Sequence, residues 1–305
     1  MEDTAVNVQS AGGQAAELGG PGDARNGASA GRRPPSALSK ELGAGYRSAK
    51  RDFLGLGLSC MTDEDIVEAV ARAIRSRSRL IVSFINPDYV RRAHRTVGLV
   101  EKINDFDIVL PDGWGVVYGA RLLGLPIVNR QSNDDICPKI FALSARDSFS
   151  NFLFGCDEGV PEQAAKNLVT SFPGLPIAGT HYARRDGPTG HPESDADLEM
   201  LVETINAAQP DILHVSIPTP RQQNWVTLVA DRLDVPVIIT GGGYLDHLAE
   251  RIDWYPWWVN RMRLGWLYRL CREPRRLWKR YSLDLVAYGW MVLRKWRAQG
   301  WRPQR

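Results

Sequence analysis

The sequence predicts an α/β fold: a doubly wound, mostly parallel, Rossmann-like sheet with a C-terminal helical appendage. Three observations carry that reading. Short apolar runs alternate with segments of helical period from residue 62 to residue 250, the order expected of βα units joined by right-handed crossovers. The runs give way to polar or glycine-rich stretches, so that Asn86, Asp112, the loop at Gly155, Gln222 and Gly241 to Gly243 would line one edge of the sheet. Open α/β sheets place their ligands at that edge. The last 55 residues differ in composition, holding 14 of the 38 Lys and Arg, 3 of the 35 Asp and Glu, and 8 of the 10 Trp. That segment carries +11 and the rest −8, which makes an anionic surface such as a membrane the expected partner of the C-terminal end.

A hydrophobic content of 44% and a charged content of 24% over 305 residues are ordinary for a globular chain. Residues 1–50 are rich in Ala, Gly, Ser and Pro without an apolar period and are expected to be a disordered arm. The α/β domain then spans 51–250, with folding expected to begin near Phe53, and the basic, Trp-rich appendage spans 251–305. Cys60, Cys137, Cys156 and Cys271 are far apart, with no CxxC pair. This argues against a zinc site or a disulfide scaffold and fits a reducing cytosol. The opening Met-Glu-Asp-Thr lacks the pattern of a signal peptide, and no apolar run approaches the ~20 residues of a membrane-spanning helix.

Taken in order, Thr62 to Asp65 has the spacing of a capping box, and Ile66, Val67, Val70, Ala71 and Ile74 follow at helical intervals. Leu80 to Ile85 is a strand, turned into a helix by Asn86-Pro87-Asp88. Ile108 to Leu110 is a second buried strand, ended by Pro111, which has no N–H to give. Asn129 to Asp135 is a polar loop entering a helix, with Pro138 tolerated in its first turn. Phe152 to Phe154, Pro176 to Thr180, Asp211 to Ile217 and Val235 to Ile239 complete the strands, and helices run from Pro161 to Phe172 and from a Ser194 cap to Ala208.

Asp112 has two readings. At the carboxyl end of a strand and before Gly113-Trp114-Gly115, it suits a general base or a ligand to a sugar hydroxyl; as Asp before a helix, it suits an N-cap. Asp105-Phe106-Asp107 matches the acidic pair that many sugar transferases use to hold a metal. It precedes its strand, about 15 Å from Asp112 at ~3.3 Å per residue, and reads instead as a solvated turn. Gly113, Gly115 and Gly119 do not have GxGxxG spacing, and HExxH, GxSxG and GxxxxGK[ST] are absent. His214 alternates within a strand and reads as structural, whereas His247, one residue from Asp246, lies near the proposed cleft.

Several motifs, in order, resemble one family, the WecG/TagA/CpsF bacterial glycosyltransferases. They are Asn86-Pro87; Leu110-Pro111-Asp112-Gly113 with Gly115-Val116-Val117; Arg130 with Asp135; Pro220-Arg221-Gln222-Gln223 with Trp225; Gly242-Gly243 with Asp246; and Leu264 to Leu270 with Glu273-Pro274-Arg275-Arg276. The resemblance covers roughly residues 56–281. It implies an inverting transfer of a sugar from a UDP-sugar to a polyprenyl-diphosphate-linked saccharide, without an essential metal or other cofactor. The enzyme would sit on the cytoplasmic face of the cell membrane and serve the synthesis of an exopolysaccharide, capsule or cell-wall polymer. It further implies that Asp112 is the catalytic base, that Gln222 contacts substrate, and that Arg269 and Arg276 reach the diphosphate. Asn86, Gly113, Arg130, Asp135 and Asp246 join them as substrate-binding candidates; no nucleic acid is expected.

The chain departs from the family pattern at Phe84, where Thr is frequent, at Ser216-Ile217-Pro218 in place of Gly-x-Gly, at Gln223 in place of Glu, and at Asp157 and Glu158, where Gly and Lys are common. The chemistry agrees with the resemblance. A sugar hydroxyl is a poor nucleophile and needs a carboxylate to take its proton, and without a metal the leaving diphosphate needs arginines and helix N-termini. Two rivals stand outside this class. A nucleotide-dependent oxidoreductase would need a dinucleotide fingerprint that is missing. A non-catalytic membrane scaffold would tolerate loss of Asp112, Gln222 and Arg269, all of which are present.

Overall fold

The computed structural model describes residues 39–183, 195–250, 259, 262, 265–272, 274, 275, 278 and 283–299. Chain order begins with α1 (Glu41–Ala49), a short antiparallel hairpin of β1 (Arg51–Phe53) and β2 (Leu56–Leu58), and α2 (Asp63–Arg75). It continues through β3 (Leu80–Ile85), α3 (Pro87–Arg95), α4 (Leu99–Asp105), β4 (Ile108–Pro111), α5 (Trp114–Leu122) and α6 (Asn133–Asp147). Then come β5 (Asn151–Gly155), α7 (Val160–Ser171), β6 (Ile177–His181), α8 (Asp195–Ala208), β7 (Ile212–Ser216), α9 (Arg221–Val229), β8 (Val237–Thr240) and α10 (Tyr244–Glu250). Helices Gly265–Arg272 and Leu283–Ala298 follow.

The main sheet has six strands in the order β4-β3-β8-β7-β5-β6, every neighbouring pair parallel. Its inner strands are buried throughout, apart from the half-buried Ile81, which is why they read in sequence as unbroken apolar runs rather than alternations. One face packs against α2, α6, α7 and α10 through residues such as Ile66, Val70, Phe141, Leu168 and Leu245. The other packs against the β1–β2 hairpin, α3, α4, α5, α8 and α9 through Phe53, Val90, Val117, Ile205 and Trp225. Trp225 and Phe53 have no exposed surface, and burying such side chains contributes about 2–3 kcal/mol each. The helices that follow the adjacent strands β3 and β8 go to opposite faces. This topology opens a crevice at the carboxyl edge between them.

The helix starts follow local chemistry. The Thr62 hydroxyl accepts the Asp65 amide at 3.1 Å while the Asp65 carboxylate accepts the Thr62 amide at 3.0 Å, the reciprocal box expected from the spacing. Asn86 caps α3 ahead of Pro87, whose missing N–H costs nothing there. Pro138 sits further into α6 than expected, because the helix already begins at Asn133.

Three expectations are corrected. Residues 41–49, assigned from composition to the arm, form α1, and the Arg79 amide donates to the Ser39 carbonyl at 2.8 Å, so folded structure precedes Phe53. Residues 1–38 of the arm lie outside the described residues. Asp105 and Asp107 do lie at the amino end of β4, but Asp107 is not solvated: it is 1% exposed, paired with Arg47, and accepts the Ile81 amide at 2.7 Å. The C-terminal helix, expected to be part of a separate appendage, is joined to the body. Tyr288 and Val292 enter the core beside α5, the Tyr288 hydroxyl donates to the Gly115 carbonyl at 2.9 Å, and Asp284 pairs with Arg91 of α3. Among the described residues no helix is long and apolar enough to cross a membrane.

Candidate active site

Asp112 is fixed by the end of β4. Its amide donates to the Ile85 carbonyl at 2.8 Å, continuing the β3–β4 ladder one step past Pro111, and the Gln131 amide donates to the Pro111 carbonyl at 2.9 Å. The N-cap of α5 is Gly113, with φ +94, so Asp112 stands one residue outside the helix and the cap reading does not hold. Its carboxylate accepts the Asn86 side-chain Nδ2–H at 3.3 Å, while Asn86 Oδ1 accepts the Tyr89 amide at 3.0 Å. Asn86 thus serves as the cap of α3 and as a direct support for Asp112.

Arg130 and Asp135 are brought to the same place, as a pair. Arg130 Nε donates to Asp135 Oδ2 at 2.9 Å and Nη2 to Oδ1 at 2.6 Å. Asp135 Oδ2 also accepts the Ser132 amide at 3.0 Å and hydroxyl at 2.7 Å, a capping box at the start of α6. Three of these bonds fall on Oδ2 and one on Oδ1, so Asp135 holds Arg130 and caps α6. Burial works against the Arg130 charge, but the bonded Asp135 and the nearby Asp112 and Asp134 hold its pKa above the ordinary arginine value. Asp134 in turn faces His247 of α10, Oδ1 to Nδ1 3.8 Å.

The β7 and β8 exits meet through α9. Gln222, 3% exposed, accepts the Gly242 amide on Oε1 at 3.0 Å, and its Nε2 has no partner among the described residues. Ser216 donates to the Gly242 carbonyl at 2.8 Å and accepts the Leu245 amide at 3.0 Å. Gly155, at the neighbouring β5 exit, has φ +128, and a Cβ there would lie 2.2 Å from the Ser216 carbonyl oxygen, so only glycine allows this approach. Asp246 lies half-buried in the first turn of α10, directly after the glycine exit. Arg269 falls in the helix Gly265–Arg272, but its side chain, like the whole of Arg276, lies outside the described residues.

The structure therefore gathers Asn86, Asp112, Gly113, Arg130, Asp135, Gln222 and Asp246 at one sheet edge. It adds residues that sequence reasoning did not single out. Tyr89 is buried under the Asn86 cap, and burial pushes its hydroxyl pKa up. Gln131 is buried with Nε2 donating to the Met61 carbonyl at 2.9 Å and Asp63 at 2.8 Å. Gln131 carried no pattern signal, whereas the Ser132-x-x-Asp135 spacing was there to be read as a cap. His214 is structural, as expected: it is buried against Phe141 with Nε2 3.0 Å from Asn151 Oδ1, and burial lowers its pKa to about 3.

Chemically, the edge offers a supported carboxylate, a guanidinium and an amide, a set suited to a polar, anionic ligand. Three curated Staphylococcus aureus proteins, from strains MW2, NCTC 8325 and COL, are each 24% identical over 243 residues, covering 79% of this chain and 92% of the relative. Each is named N-acetylglucosaminyldiphosphoundecaprenol N-acetyl-beta-D-mannosaminyltransferase. Residues 51–302 match the Glycosyl transferase WecG/TagA/CpsF family, and the chain belongs to that glycosyltransferase family.

Proposed function

We propose that this glycosyltransferase moves a sugar from a UDP-sugar, with inversion, to a saccharide linked through diphosphate to a polyprenyl lipid, in the synthesis of a bacterial cell-wall polymer, capsule or exopolysaccharide. The observation that carries the reading is the carboxylate of Asp112, held by Asn86 at 3.3 Å at the carboxyl edge of the sheet and beside the Arg130–Asp135 pair. In this reading Asp112 removes the proton from the acceptor hydroxyl as it attacks the anomeric carbon. Negative charge grows on the departing diphosphate. Arg130 meets part of it, and Arg269 and Arg276 of the C-terminal segment supply the rest. Gln222 Nε2 donates to the donor. The names of the relatives support a lipid-diphosphate acceptor ending in N-acetylglucosamine, and UDP-N-acetylmannosamine is the first donor to try.

The acceptor lies at the cytoplasmic membrane face, and the enzyme is peripheral there. Support comes from the C-terminal helix, which exposes Leu285, Val286 and Trp290, and from the exposed Leu267 and Trp278 before it. Such apolar and aromatic side chains among many basic ones suit a bilayer interface.

The test is UDP release with purified enzyme, donor and lipid acceptor. The wild type should turn over, and Asp112→Asn should stay folded and still bind UDP while losing roughly 10²–10⁴-fold in rate. Near wild-type turnover by Asp112→Asn refutes the base assignment, and no acceptor-dependent release with any UDP-sugar refutes the reaction.

A further inference from the structure

Gln223 is fully buried one residue beyond the substrate candidate Gln222. Its Nε2 donates to the Tyr89 hydroxyl, and its Oε1 has no partner among the described residues. Buried polar atoms are almost always paired, so an amide kept here against that cost needs a reason. Burial raises the Tyr89 hydroxyl pKa and the neighbouring Ser83 side chain partly offsets it, while the Ser83 hydroxyl accepts from Thr240 at 2.9 Å. The Gln223–Tyr89 bond therefore ties α9 to α3 beside the bonded pair Ser83 of β3 and Thr240 of β8.

What stands on these elements is the site itself. The first turn of α9 carries Gln222, bonded to the Gly242 amide at 3.0 Å. The first turn of α3 carries Asn86, which accepts the Tyr89 amide at 3.0 Å and supports Asp112 at 3.3 Å. The Gln223–Tyr89 bond is the direct side-chain link between those two turns.

We infer that Gln223 is a positioning residue, a latch that sets the distance between the donor-side amide Gln222 and the Asn86–Asp112 base. The inference rests on the glycosyl-transfer reading above. The latch acts through Tyr89, so its two halves work as a unit. Breaking either removes the link between the two first turns, although Arg92 of α3 still donates to the Thr219 carbonyl ahead of α9 at 3.3 Å, and breaking the second afterwards adds nothing.

The experiment is a double-mutant cycle in kcat with Gln223→Met, Tyr89→Phe and the double variant, using UDP release with lipid acceptor. Each single variant should lose about tenfold in kcat with donor KM within about twofold, since one hydrogen bond of position is lost. The double variant should lose no more than the worse single one. Multiplying losses in the double variant would overturn the latch, as would unchanged kcat in Gln223→Met. If the wild type itself releases no UDP, the reaction reading fails, and hydrogen exchange decides the latch alone. In Gln223→Met the Tyr89 amide should exchange about tenfold faster while amides of α6 do not change; equal exchange at Tyr89 would overturn it. Gln223→Glu serves if Gln223→Met does not fold. A buried carboxyl resists ionisation to high pH, so its kcat relative to wild type should fall as pH rises through 7 to 9, and a flat ratio would overturn the latch.

Discussion

Replacing Asp135 by Asn separates holding an arginine from touching a ligand. Asp135 accepts four hydrogen bonds, two from Arg130 at 2.9 and 2.6 Å and two from Ser132 at 3.0 and 2.7 Å. The pair is partly buried, with side-chain exposures of 18% for Arg130 and 28% for Asp135. Its worth therefore lies between the ~0–1 kcal/mol of an exposed pair and the ~1.5–3 kcal/mol of a hydrogen bond to a buried charge. Asn is isosteric and keeps one oxygen for the Ser132 cap, but it is neutral and turns an N–H toward a guanidinium N–H. About 2 kcal/mol of Arg130 positioning is lost, a factor of about 30 at ~1.4 kcal/mol per tenfold. If Arg130 meets the leaving diphosphate, turnover of Asp135→Asn should fall about 30-fold. The weaker cap should lower Tm by only a few degrees. UDP release at saturating donor and acceptor, read beside a thermal melt, measures both. Turnover within about twofold of wild type with an unchanged melt refutes the reasoning and leaves Asp135 a cap alone.

Activity should persist in excess EDTA, because Asp107 of the acidic pair is committed to Arg47 and the Ile81 amide at the amino end of the sheet; loss restored by Mg²⁺ or Mn²⁺ would overturn a metal-free mechanism. Stability should fall in mild acid through His214. Its folded pKa of about 3 lies below the ordinary 6.5, so its contribution is complete above pH 6.5 and drains away as pH falls toward 3, by up to about 1.4 kcal/mol per unit. Melts of His214→Gln should show a shallower acid slope than wild type, and parallel curves would remove His214 as the cause. Trp290→Glu and Val286→Glu, on the exposed face of the C-terminal helix, should leave the melt intact and weaken binding to anionic vesicles about tenfold; unchanged retention would detach that face from the membrane.

The fold was legible wherever burial on both faces left an unbroken apolar run, as in Ile108 to Leu110 or Leu80 to Ile85, and wherever a cap had ordinary spacing, as at Thr62. The β1–β2 hairpin was not, because two three-residue strands carry too short a period to see. Helix α1 was hidden by its neighbours: its own residues are polar and glycine-containing, and it is held from outside by Arg47 on Asp107 and by Ser39. The site was legible as a set of strand exits, which placed Asn86, Asp112 and Gln222 on one edge. Roles within it were not. Sequence shows a residue type and not its bonding partners; only geometry shows that Asp135 holds Arg130 and closes the Ser132 cap. Tyr89 and Gln223 are tied to one another across 134 positions, a separation at which local pattern carries no information.

The position of the C-terminal helix bears on how membrane and catalysis are joined. It packs on α3 and α5, the helices that begin at Pro87 and Trp114 on either side of the Asn86–Asp112 contact. The approach is close: a Cβ on Gly115 would lie 2.8 Å from Pro87 Cγ and 3.9 Å from Leu285 Cδ1, and Tyr288 bonds the Gly115 carbonyl. The helix that bears Val286 and Trp290 outward thus rests, on its inner side, directly on the first turns that support the base. A helix is about 10 Å across. If that outer face lies on a bilayer, as proposed, the base would stand about one helix thickness from it. Packing that makes the helix part of the body would also fix that spacing, which a loosely tethered appendage would not. Removing the helix to test membrane binding would therefore uncover core and disturb α3 and α5 together, so substitutions on its exposed face are the ones that separate anchoring from folding.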